Sequence, residues 1–81
     1  MMNKIREFYI VTHEDVEYKV ERLKQHPLYP GLKFYRNKIR AFVVDTLGNY
    51  TTGTNTLAAH ENYNKNHRMY SDFKIRPCKQ K

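Results

Sequence analysis

Tryptophan is absent from this chain of 81 residues, cysteine occurs once, and glycine and proline occur three times each. A single thiol, Cys78, excludes an internal disulfide and alone cannot anchor a structural zinc site. A reducing, cytoplasmic setting is therefore expected. No apolar run approaches the roughly 18 residues of a membrane span, and Met1 to Arg6 lacks a signal peptide's apolar segment. No membrane partner is expected. Internal repeats, linkers and low-complexity tracts are also missing. The length then supports one domain over residues 1–76, with a flexible basic tail at 77–81. A domain this small is stable by only about 5 kcal/mol, so a partner or second copy would add stability, and a homo-oligomer is compatible with the chain.

Catalytic signatures are equally scarce. No HExxH, CxxC or paired His–carboxylate spacing occurs, and Gly48 and Gly53 fall in no phosphate-loop pattern. His60 and His67 lie about two helical turns apart, roughly 10 Å of rise, which is too far to share a small metal ion. A metal-independent ribonuclease would need His13, His60 or His67 assembled beside Arg40, and nothing in the spacing selects such a set. No catalytic residue, metal or cofactor is expected.

Acidic residues are few and unevenly placed. Eight Asp and Glu face fifteen Lys and Arg, for a net charge of +7. Residues 1–21 hold three bases against five acids; residues 22–81 hold twelve against three. Such an excess points to a polyanionic partner, most economically nucleic acid, or to an acidic protein surface.

Hydrophobic patterning predicts the order of elements. Ile5–Val11 reads as a strand, with Phe8 and Ile10 on one face and Tyr9 and Val11 on the other. Thr12 and Asp15 resemble a capping box, and Val16, Val20 and Leu23 form a stripe at helical spacing, so a main helix is expected up to His26, before Pro27. Its acids Glu14, Glu17 and Glu21 would face a basic partner or solvent. Leu28–Gly31 reads as a turn, followed by strands at Leu32–Tyr35, Ile39–Asp45 and Tyr50–Thr52, with a turn at Leu47-Gly48-Asn49. Thr54, Asn55 or Thr56 would cap a short second helix from Leu57, fraying early at Asn62–Asn66. Tyr70, Phe73 and Ile75 suggest a closing edge strand. The expected fold is a small α+β domain: a three- to four-stranded, largely antiparallel sheet with one main and one short helix.

The densest basic and aromatic segment runs from Lys33 to Arg40. A hairpin there would present Arg36 and Lys38 at its tip, Lys33 and Arg40 on its strands, and Phe34 or Tyr35 as a ring for stacking. Cations displace counterions from phosphates and rings stack on bases, so single-strand binding needs this pairing. Arg68, Lys74 and Arg76 would extend the track.

A three-stranded sheet followed by a helix, carried by Gly31, the Lys38/Arg40 strand and the Ala58-Ala59 helix start, resembles AP2-type and integrase arm-binding modules. Those modules lay their sheet in the major groove; their tryptophan and glycine positions are missing here. The small size and Asn-, Lys- and Tyr-rich composition resemble accessory proteins of AT-rich bacteriophages. That likeness implies a non-enzymatic anti-defence inhibitor of a host nuclease, toxin or defence protein, acting in the host cytoplasm and sometimes together with RNA. The expectation from the residues themselves is a non-catalytic, sequence-tolerant nucleic-acid-binding protein, with RNA or single strands favoured. The phage-type inhibitor is the alternative.

Overall fold

A computed structural model describes residues 6–24 and 28–78. In chain order it comprises β1 (Phe8–His13), β2 (Val16–Arg22), β3 (Lys33–Arg36), β4 (Ala41–Val44), β5 (Tyr50–Gly53), α1 (Thr56–Asn64) and β6 (Lys74–Pro77). The domain is α+β, with one antiparallel sheet of six strands rather than three to four, and one helix among the described residues rather than two.

The main helix expected over 13–26 is replaced by β2 and the turn before it. Val16 and Val20 satisfy a period of two as well as a period of four, and Tyr18 between them decides for the strand. Val20, Tyr18 and Val16 lie opposite Tyr9, Val11 and His13 of β1, which puts an apolar and aromatic row on one face. Glu14 and Asp15 link the strands, both with positive φ (51° and 66°), as a two-residue type I′ hairpin requires. Thr12 is a strand residue and caps no helix. His26 and Pro27, where that helix was to end, lie outside the described residues. Left-handed backbone at two residues bearing Cβ stores strain, so Glu14→Asn/Asp15→Gly should stabilise the fold by about 1 kcal/mol. A higher urea midpoint at unchanged slope would show it; an unchanged midpoint would contradict it.

The sheet order is β5-β4-β3-β2-β1-β6, and the sheet is strongly curled. Laid flat, its outer strands would stand about 24 Å apart. Yet Tyr70 is paired with Tyr50 of β5 through two 2.8 Å backbone hydrogen bonds, and β6 begins at Lys74 beside β1. Four residues reach at most about 14 Å, so the edges must approach each other. A 3.3 Å bond from Phe73 N to Gly48 O also ties this segment to the β4–β5 turn.

Curling gives the sheet an inner and an outer face. Val11, Val20, Tyr35, Phe42, Val44 and Tyr50 fill the inner face, with Tyr9, Tyr18, Tyr70 and Phe73 packed against them. Across β3–β5 the outer face is covered by α1, whose Ala59 packs with Phe34, Ala41 and Val43. Asn55 caps α1, its side chain accepting from Ala58 N at 2.8 Å. Gly53 permits this close docking, because a Cβ there would lie 2.6 Å from Ala59 N. Tyr63 of α1 donates to Asp45 at 2.7 Å, and this bond, with burial, pushes its pKa up to about 12. Pro77 ends β6 and Cys78 N donates to Phe8 O at 2.9 Å; residues 79–81 lie outside the described residues.

Candidate functional site

The outer face of β6, β1 and β2 is left uncovered by α1. Strand alternation brings Phe8, Ile10 and Thr12 to this face, with Glu17, Lys19 and Glu21 of β2, Arg36 of β3, and Lys74 and Arg76 of β6. Arg76, Ile10 and Lys19 form one row across the strands; Phe8, Glu21 and Arg36 form another.

Asn37 fixes the adjoining β3–β4 hairpin. Its Oδ1 accepts from Ile39 N and Arg40 N, both at 2.9 Å, while its Nδ2 donates to Lys19 O at 3.1 Å. That clamp ties the hairpin to β2, and Lys38 beside it lines a groove of about 480 Å³. Arg6, Phe8, Lys19, Glu21, Arg36 and Lys38 contribute to its walls. Arg6 grips Glu21 in a bidentate pair at 2.8 and 3.0 Å. Its guanidinium also lies 5.3 Å from the centre of the Phe8 ring, and the Lys19 ammonium lies 5.4 Å from it.

Six cations therefore share this face with Glu17 and Glu21. Glu21 is held by Arg6, and Glu17 binds Arg76 at 3.1 Å. Among the described residues Lys19, Arg36, Lys38 and Lys74 form no ion pair, so their charge is available to a partner.

The residues expected to form one track are divided by the sheet. Arg36 and Lys38 meet in the groove, with Lys74 and Arg76 farther across the same face. Tyr35 is not an exposed stacking ring: the register that sets it opposite Phe42 turns it inward, leaving it 5% exposed. There it packs edge-on to Tyr9, and burial raises its pKa. Lys33 lines a separate groove of about 360 Å³ with Asp45, Phe73 and Ile75. Arg40 leaves the track too: its guanidinium sits 5.2 Å over Tyr18 and donates to Thr52 Oγ1 at 3.0 Å. Arg68 stands in the loop after α1, in neither groove, with a φ of 55°. The inner face of β3–β5, which AP2-type modules would lay on DNA, is filled by the core.

Three groove residues escaped the sequence reading: Arg6, Phe8 and Lys19. The signal was the alternation from Val16 to Arg22. Read as a strand hairpinned to β1, it sets Phe8 and Lys19 on a common face beside Arg36.

His13 and His60 do not converge. His60 is on α1 against Tyr29, whereas His13 is buried on the inner face with Nδ1 2.9 Å from the Tyr50 hydroxyl. Among the described residues no three His, Cys, Asp or Glu side chains gather to hold a metal ion, and no helix is long and apolar enough to cross a membrane. Burial lowers the His13 pKa; Glu14 opposes the shift and Arg40 adds to it. The folded state thus favours the neutral ring, and the unfolded chain takes up the proton first. Stability from this site is complete above about pH 6.5 and is lost as pH falls through the lowered folded value. Urea midpoints should therefore drop on acidification below about pH 6, less so in His13→Gln; an equal drop in the variant would contradict this.

No protein-family model matches the chain, and no curated protein or solved structure is significantly similar to it.

Proposed function

We propose that the protein binds single-stranded nucleic acid, RNA or DNA, on the outer face of β6–β1–β2 and the β3–β4 hairpin, without catalysis. The observation that carries this reading is the gathering of Lys19, Arg36, Lys38 and Lys74, which form no ion pair among the described residues, on one side of the sheet around an apolar strip of Phe8 and Ile10. Phosphates gain from releasing counterions to such a surface, and the contacts select charge rather than sequence. Helix α1 is short, has Ala59 buried on the sheet and carries no basic residue in its last turn. It is no recognition helix for a duplex groove.

A second reading, an inhibitor docking on an acidic face of a host protein, is favoured by Glu17 and Glu21. These carboxylates interrupt the cationic surface and would repel a phosphate chain while suiting a partner with a few matching bases. Fluorescence anisotropy with labelled single strands and duplexes at low salt separates the two. Saturable binding that prefers single strands supports the first reading. No binding of either nucleic acid, together with retention of one acidic host protein, would replace it with the second.

A further inference from the structure

We infer that the Phe8 ring is the stacking platform for one unpaired base, with the adjoining phosphates held by Lys19, Arg36 and Lys38. This inference rests on the nucleic-acid reading above and names the ligand element its groove would take. Among the described residues Phe8 is the one ring that the strand register brings to the uncovered half of the outer face; Phe34 on the same side is buried beneath α1. It is only partly buried and lies in the groove whose other walls are Arg36 and Lys38.

The two cations over this ring differ in how they are held. Arg6 is fixed by both oxygens of Glu21 and holds a flat, stationary guanidinium over the ring, 5.3 Å from its centre. Lys19 has no carboxylate partner among the described residues and sits on a flexible stem, with its ammonium 5.4 Å from the ring centre. A strand entering the groove gives that ammonium a phosphate, and the ring surface it leaves is open to a base. One weak cation–π contact is exchanged for an ion pair and a base–ring stack. Bases in a duplex are already stacked and paired, so the exchange selects unpaired nucleotides. The groove, at about 480 Å³, has the size of a small-ligand site and suits one nucleotide.

The chain has no tryptophan, so Phe8→Trp installs a reporter seen without background. The probes are a short oligothymidylate and an abasic strand of the same length and charge. The expected result is quenching by the first and not the second, with the wild-type protein binding the base-bearing strand about tenfold more tightly. Phe8→Leu, which keeps apolar bulk but removes the ring, should abolish that preference, so that it binds the two strands equally. Equal wild-type affinity for the two strands, or a preference that survives in Phe8→Leu, overturns the stacking assignment and leaves phosphate binding standing. Failure of the wild-type protein to bind either strand overturns the nucleic-acid reading itself.

Discussion

Reversing both hairpin charges, Arg36→Glu/Lys38→Glu, is expected to weaken single-strand binding by on the order of 100-fold at low salt. The variant removes two of the four cations that this face holds without an ion pair among the described residues, and adds two carboxylates beside Glu21 in the same groove. For four neutralised phosphates the slope of log affinity against log salt is about −3, and for two about −1.4, so the salt dependence should flatten as affinity falls. Both positions are solvent-exposed and make no ion pair among the described residues, but Arg36 lies opposite Glu21, so the reversal should also cost up to about 1 kcal/mol of stability. Lys33→Glu and Arg68→Glu lie outside the groove, and each should alter affinity by no more than about threefold at physiological salt. Equal losses from all of these reversals would mean that net charge, rather than this face, governs binding.

The second large effect concerns the fold. Phe42 is fully buried on the inner face, with ring centres 5.9 Å from His13, 5.6 Å from Tyr18, and 6.3 Å from both Tyr50 and Phe73. It thereby joins β1, β2, β5 and the segment that closes the curl. Phe42→Ala should cost about 4 kcal/mol through lost burial and the cavity left behind. Against a total of about 5 kcal/mol for a domain of this size, that leaves the chain close to its unfolding midpoint. Circular dichroism with urea titration would show the loss. Leu47→Ala at an 83% exposed turn position should change stability by less than about 0.5 kcal/mol. A Phe42→Ala protein as stable as the wild type would refute the closed, aromatic-filled interior.

The β3–β5 meander and α1 were legible in the sequence because their signals are local. Ala41 and Val43 alternate with Phe42 and Val44, Leu47-Gly48-Asn49 marks the turn, and Asn55 caps the helix. The first hairpin was not legible. Val16, Val20 and Leu23 fit a helix, and Glu14-Asp15 lacks the Asn-Gly chemistry that announces a type I′ turn. What favours the strand is pairing with β1 and, beyond it, β6, a contact from the far end of the chain. Curvature is still less visible locally, since it depends on Tyr70 meeting Tyr50 while β6 meets β1.

The candidate site inherits both limits. Arg36 and Lys38 could be read from the tip of a local hairpin, whereas Phe8 and Lys19 join them only once β1–β2 is known to be a hairpin. Tyr35 shows the converse. Its place beside Arg36 in the sequence suggested a surface ring, but pairing with Phe42 fixes it on the inner face, where the curl closes over it.

Backbone amide shifts during titration with a short single strand test the central claim most directly. The account predicts that the largest changes fall at Phe8, Lys19, Arg36, Lys38 and Lys74, with Lys33, Arg40 and the α1 residues Leu57–Glu61 nearly still. Changes centred on Lys33, Arg68 or α1, or none at saturating strand, would contradict it.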